Sequence, residues 1–519
     1  MWDVMSRNYE SVYRFVPSGA LPPILIILTV LWSYGKGLDM FFDGPGLYTI
    51  AASQHDIHAF LGQNCYWRPL TSYTYQLLYT AFGIEPLPYH IFDLVMHTLN
   101  ALLVYHVARK LSKDGVVALV AGLMFAAFYR HSGVMFSGGL FYELGHTFFG
   151  LVAILSFLYF QDTNKMGYLA ASLTSILVAL TLKDSAIVVF PVVIALDQFY
   201  RPYPLPRIRW GLISCLVGVA VVYFVLRTHF LPSSAGGAHE LLHTTSDKLG
   251  WHESYKQIQK GLFVSISNIC PGKDLSYIFY FGFILFIWKA VKHRRLAVTT
   301  GILVLISVFP LIFTEGIANR YLYFSTALSV IFLAVIVRYS ASALAARMLP
   351  SYGDLGAGLV TGAVLLLIVS FNVHKIHTYE PQYRDASNLF RTHLEDIVTT
   401  FPNGTKDYNL CLINTPLDLP RERGGFQVWE GGNINYMLSI LYEESNSVGV
   451  VTQLTTDLGY PISRHQGKIS KEISNDELNI ISQDSKNRVM VFNPYTEHME
   501  DMTGKTSQEI RTAIESTKS

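Results

Sequence analysis

The sequence predicts an α-helical polytopic membrane protein that ends in a small α/β soluble domain. Half of its residues are apolar (51%), only 15% are charged, and the mean hydropathy is +0.31, whereas a soluble chain carries about 25% charge. The charge is also unevenly placed: 34 of the 145 residues from Lys375 to Ser519 are charged, against 43 of the first 374. Apolar runs near the bilayer-spanning length of about 20 residues recur through the first part and then stop. The chain is therefore divided into a membrane body, 1–374, with long loops at 36–90 and 230–274, and a soluble domain, 375–519. A net charge of +1 offers no basic field for nucleic acid. Cys65, Cys215, Cys270 and Cys411 have no CxxC or His-rich spacing, which argues against a zinc site or a disulfide framework.

Eleven candidate spans fall near 20–35, 91–108, 115–129, 139–160, 167–182, 186–199, 210–229, 275–290, 298–314, 322–341 and 357–374. Several are short, which suits helices that end inside a bundle at a water-filled cavity. The first has no small-x-small site after it and is read as a span, not a cleaved signal peptide. With the N-terminus inside, six short stretches on that side hold fifteen Lys and Arg, among them Arg109, Lys110, Lys113, Arg338 and Arg347. The positive-inside rule then places the N-terminus in the cytoplasm. An odd number of spans puts 375–519 on the periplasmic, extracellular or lumenal side of a bacterial inner membrane or an ER membrane. Both long loops share that side, as do Cys65, Cys270 and the sequon Asn403-Gly404-Thr405, so the chemistry is expected there.

In the tail, Asp407–Asn414, Val448–Leu454 and Arg488–Asn493 read as short strands bounded by turn residues. Between the first two, Ile434–Glu443 has apolar residues at helical spacing.

Loop one begins Gly37-Leu38-Asp39-Met40-Phe41-Phe42-Asp43-Gly44-Pro45-Gly46. A carboxylate at the membrane boundary suits a general base; the plainer reading of Asp43 is a cap on the turn that follows. Cys65-Tyr66-Trp67-Arg68-Pro69-Leu70 leads into an aromatic stretch to Phe82 that suits an interfacial helix. In the second span Asp93, His97 and Asn100 share one helix face, either lining a cavity or forming a structural polar seam. Glu143 and His146 stand one turn apart near the outer end of span four. Lys183-Asp184 is wedged between two outer helix ends, as an ion pair or with Lys183 meeting a phosphate. Arg320, in Asn319-Arg320-Tyr321-Leu322-Tyr323, has the planar donor set that binds phosphate or carboxylate bidentately.

Taken in order, these motifs resemble those of the GT-C membrane glycosyltransferases, and most of all their protein O-mannosyltransferase-like (family 39-like) branch. The likeness rests on Phe42-Asp43, Arg68-Pro69-Leu70, Tyr89-His90 with His97 and Asn100, Lys183-Asp184, and Arg320-Tyr321-Leu322-Tyr323, across about 40–330. Three features depart from the branch. Gly44-Pro45 replaces the second Asp of an Asp-Asp pair, Asp184 replaces a Glu, and no tetratricopeptide array follows. The resemblance implies a GT-C-like fold and inverting transfer of a sugar from a polyprenyl-phosphate donor to a protein, lipid or glycan acceptor on the extracytoplasmic side. It implies Asp43, or Asp39 in its place, as the base. Lys183 and Arg320 would hold the donor phosphate, with Arg68, His90, His97, Glu143, Asp184 and Tyr321 around the substrate cavity. It calls for no cofactor beyond the lipid-linked sugar and leaves a divalent ion open. A non-catalytic subunit scaffolding a membrane complex is the alternative that the altered Asp-Asp motif favours. A transporter would use Asp93, His97 and Arg227, but long outer loops and the lack of an inverted repeat argue against it.

Overall fold

A computed structural model describes residues 19–55, 67–200, 209–230, 294–308, 319–348, 353–404, 408–413, 438, 441–442, 451–454, 475–493 and 495–516. The membrane body is built from α1 (Leu21–Tyr34), α2 (Gly44–His55), α3 (Pro69–Phe82), α4 (Pro86–Ser112), α5 (Gly115–Ala126) and α6 (Phe141–Thr163). It continues through α7 (Met166–Leu182), α8 (Val189–Phe199), α9 (Trp210–Phe230), α10 (Arg294–Val308), α11 (Tyr323–Met348) and α12 (Gly353–Thr400). Proline stands in the first turn of α1, α3 and α4, where its missing N–H leaves no ladder bond unmade. Lys113 turns left-handed (φ 56°) after α4, and the next residue, Asp114, caps α5 by accepting from the Val116 amide at 2.7 Å. Asn164 does the same (φ 54°) between α6 and α7. These tight turns make α4–α5 and α6–α7 adjacent antiparallel pairs.

α11 is the central helix, packed against α4, α5, α6, α10 and α12, and its residues from Ala327 to Val335 are nearly all buried. At the rim, α9 turns Val217, Val221, Val222 and Val225 outward, as a lipid-facing surface would. Among the described residues, seven helical segments are long and apolar enough to cross a membrane, and α7 and α10 are shorter apolar helices. The chain is an α-helical polytopic integral membrane protein. Of the eleven expected spans, ten meet a helix, that at 298–314 being described as far as residue 308; the one at 275–290 lies outside the described residues, as do residues 231–274, Cys65 and Cys270.

Within 36–90, α3 is the helix expected through the aromatic stretch to Phe82, and α2 is a further helix that the sequence reading did not mark. The division at 374 falls inside α12, a single helix of 48 residues. At 1.5 Å per residue it is about 70 Å long, more than twice the hydrocarbon thickness of about 30 Å, so its second half leaves the bilayer as helix.

Beyond it, β1 (Asn409–Ile413), β2 (Val451–Leu454), α13 (Asn475–Gln483), β3 (Asn487–Asn493), β4 (His498–Asp501) and α14 (Ser507–Ser516) form the α/β domain. The sheet has the order β2-β1-β3-β4, with β1 parallel to both neighbours and β4 antiparallel to β3. All three predicted strands are present. Of the predicted helix at 434–443, only residues 438, 441 and 442 are described. Thr506 and Glu509 form a reciprocal capping box at the start of α14. The sheet docks on the emergent half of α12: the Met499 amide donates to Asp396 at 2.8 Å, and the His393 ring meets Phe492 edge-on at 4.8 Å.

Candidate functional site

Asp43 stands at the N-cap of α2. Its Oδ1 accepts from the Gly46 amide at 2.8 Å and from the Ser137 hydroxyl at 2.5 Å, so the capping reading of this residue describes its contacts in the structure. Two glycines bring the backbones together here. A Cβ on Gly139 would lie 2.3 Å from the Gly46 carbonyl oxygen, and one on Gly46 would lie 2.2 Å from that of Ser137. Gly138 adopts φ +72° beside the His90 ring, a conformation open to glycine but costly for other residues. His90 stacks on Phe42 (centroids 6.3 Å, 17° between planes), and Tyr383 of α12 closes the corner against Phe136.

A second cluster gathers cations from three distant segments. Arg68, just before α3, lies over the Tyr142 ring at 4.7 Å; Lys183, after α7, lies 5.6 Å from the same ring and 5.0 Å from that of Tyr321; Arg320 is 5.5 Å from Tyr321. Two tyrosine faces thus alternate with three positive groups, each contact worth about 0.5–2 kcal/mol as the site dries. α3 is set by two bonds to its neighbours: the Thr71 hydroxyl donates to the Leu182 carbonyl (3.3 Å), and the Tyr75 hydroxyl accepts from the Phe141 amide (2.7 Å). Glu143, wholly buried in the first turn of α6, accepts from Lys183 Nζ through Oε1. Its Oε2 has no hydrogen-bond partner among the described residues. His146 Nδ1 is 3.9 Å from Oε2 and bonds the Tyr142 carbonyl instead. Burial lowers the Lys183 ammonium from its ordinary range, Glu143 opposes the shift, and Arg68 adds to it.

Of the two readings of Lys183-Asp184, the ion pair between them is not the contact either residue makes in the structure. Lys183 is extended (φ −159°, ψ 130°), and extended backbone sends successive side chains to opposite faces. Lys183 therefore faces Glu143, while Asp184 faces α9, accepting from the Tyr223 hydroxyl and pairing with Arg227 at 3.6 Å. Asp184 correspondingly anchors α9. Asp39 also points away from a catalytic role: it is 74% exposed and held bidentately by Arg384 of α12 at 2.9 and 3.0 Å. His97 lies in the helix interface, with Nδ1 2.6 Å from the Tyr323 hydroxyl and Nε2 3.3 Å from the Ala126 carbonyl. Its helix-face partner Asn100 donates to the Leu144 carbonyl at 3.0 Å. These are the contacts of the structural seam, one of the two readings of this helix face.

Sequence reasoning did not single out Ser137, Tyr142, Tyr323, Tyr383 or Arg384 for roles of their own. Tyr323 stands inside the Asn319–Tyr323 motif and Tyr142 is the sequence neighbour of Glu143; Tyr383 and Arg384 carry no local signal, because only the emergence of α12 from the membrane brings them to loop one. Among the described residues, no group of three or more His, Cys, Asp or Glu is gathered as a metal ion would require.

No family model matches the chain. Over 128 residues it is 32% identical to "Protein O-mannosyl-transferase Tmtc1" of Drosophila melanogaster. The chain is similar in sequence to a protein O-mannosyltransferase. The matched stretch is 24% of this chain and spans only 15% of that relative's length. Among solved structures, the chain is similar to ArnT from Cupriavidus metallidurans bound to undecaprenyl phosphate (TM-score 0.48, 13% identity, 92% of this chain and 94% of that one). It is also similar to the apo oligosaccharyltransferase of Archaeoglobus fulgidus (TM-score 0.48, 11% identity, 85% and 65%).

Proposed function

We propose that this chain is an integral-membrane glycosyltransferase that moves a sugar from a polyprenyl-phosphate donor to a hydroxyl acceptor on the extracytoplasmic side, with its N-terminus in the cytoplasm. The observation that carries this reading is the convergence of Arg68, Lys183 and Arg320 around two tyrosine rings at one set of helix ends. A phosphate on a membrane lipid is the anion such a site suits, because charge-assisted bonds strengthen where water is excluded. In the proposed reaction the acceptor oxygen attacks the anomeric carbon with inversion. The bond from that carbon to the phosphate oxygen breaks, and its electron pair stays on the phosphate. Lys183, Arg320 and Arg68 act where that charge grows. Asp43 takes the acceptor proton, held in place by Gly46 and Ser137. His90 and Tyr321 border the sugar and the acceptor.

The second reading is a non-catalytic subunit of a membrane complex. It is favoured by the capping bond from Asp43 to α2, which gives that carboxylate a structural reason to exist.

The test is binding of polyprenyl phosphate to the purified chain in nanodiscs. Losing one charge-assisted bond is worth about 1.5–3 kcal/mol, so Lys183→Ala and Arg320→Ala should each weaken binding roughly ten- to a hundredfold. Inorganic phosphate at the same concentration should not compete. If both variants bind like the parent, the lipid-phosphate site is not at this cluster.

A further inference from the structure

Glu143 is the carboxylate that reaches into the cation cluster, and its position is fixed: Oε1 is held by Lys183 Nζ, and the residue is wholly buried at the first turn of α6. A purely structural ion pair would need nothing more. Here, however, the same carboxylate stands among groups that face the phosphate in the proposed reaction, and its Oε2 is left without a hydrogen-bond partner among the described residues. Bulk water cannot screen a group this buried as it would a surface charge.

Resting on the lipid-phosphate reading above, we infer that Glu143 sets which lipid phosphate the cluster holds, disfavouring the doubly charged monoester product relative to the singly charged diester donor. The donor is a phosphodiester with one negative charge. When the bond to the anomeric carbon breaks, the electron pair remains on the phosphate oxygen and the acceptor proton goes to the base, so a monoester remains. With a second pKa near 6 for phosphate monoesters, that product carries about two charges at pH 8. The three cations favour this growth of charge, and for the same reason they hold back the product. Repulsion between a fixed carboxylate and the phosphate is proportional to the phosphate's charge. It is therefore about twice as large for the product as for the donor, whatever the other groups contribute. Glu143 thus opposes product retention while its bond to Lys183 keeps that ammonium aimed.

The experiment compares two probes on the full chain in nanodiscs at pH 8: polyprenyl phosphate, and the methyl phosphodiester of the same lipid. Glu143→Gln removes the charge and keeps an oxygen for Lys183; Glu143→Met removes the charge with a different shape. The expected result in either variant is tighter binding of the monoester relative to the diester, the ratio of the two dissociation constants moving on the order of tenfold from the parent's. A ratio that stays at the parent's value, with both affinities changed by one factor, would mean that Glu143 only positions Lys183, and would overturn the inference. So would variants that bind neither probe while the parent binds both, since Glu143 would then be needed to build the site. A parent that binds neither probe would instead refute the lipid-phosphate reading itself.

Discussion

The hydroxyl of Tyr323 lies 2.6 Å from Nδ1 of His97 and fastens the start of α11 to the middle of α4. The Ala126 carbonyl, 3.3 Å from Nε2, can only accept, so in the neutral ring Nε2 carries the hydrogen and Nδ1 accepts from Tyr323. This bond joins two sequence motifs, one around Tyr89–Asn100 and one at Arg320–Tyr323, and sets where Arg320 and Tyr321 stand. Tyr323→Phe should keep the packing of the ring and leave His97 Nδ1 buried without its donor. The expected loss is about 1–3 kcal/mol of stability, read as a lower melting temperature in detergent. A variant that melts with the parent would show that the seam contributes nothing.

Asp43 has a structural and a proposed catalytic duty, and two substitutions separate them. Asn is a comparable cap and can accept from the Gly46 amide, so Asp43→Asn should melt close to the parent, whereas Asp43→Ala should lose about 1 kcal/mol. Transfer from a lipid-linked sugar should fall on the order of 10²–10⁴-fold in Asp43→Asn, the usual worth of general-base catalysis. Full activity in that variant would clear Asp43 of the proton transfer.

Asp39→Asn is the matched control. Its exposed pair with Arg384 is worth at most about 1 kcal/mol, and transfer should proceed at the parent's rate. A loss of activity comparable to that of Asp43→Asn would return Asp39 to the site.

Gly139→Ala should unseat loop one. The added methyl would fall 2.3 Å from the Gly46 carbonyl oxygen, and backbone on both sides leaves nothing to rotate away. Overpacking of this kind costs about 1–3 kcal/mol. The measurement is limited proteolysis of the variant beside the parent, with faster cleavage expected between α1 and α3. An unchanged digestion pattern would show that the two backbones can part without consequence.

The orientation predicts which engineered cysteines an impermeant thiol reagent reaches in sealed cells. In a background without native cysteines, Ser485→Cys in the α/β domain should label and Lys165→Cys, in the turn after α6, should not. The reverse pattern would place the cation cluster on the cytoplasmic side.

Much of the fold was legible because its signals are one-dimensional. A span needs only length and apolarity, so ten of the eleven expected spans meet a helix. The strands at 409–413, 451–454 and 487–493 were legible from aliphatic runs between turn residues. The resemblance set Lys183 and Arg320 on one donor phosphate, and both lie beside the Tyr321 ring. The contacts inside the site were harder to read. The Glu143–Lys183 bond spans 40 positions and Tyr323–His97 spans 226, distances at which no periodicity relates two residues.

The sequence by itself determined that this protein lies in a membrane, roughly where its helices run, and that an α/β domain follows them, because hydrophobicity and chain length act segment by segment. Only the tertiary structure decided which charges meet. Lys183 and Asp184 are neighbours in sequence, yet an extended backbone at Lys183 turns the lysine toward Glu143, Tyr142 and Tyr321 and the aspartate toward Tyr223 and Arg227. That choice belongs to a single pair of dihedral angles, held by the packing of α3, α6 and α9 around them, and no local pattern of residues encodes it.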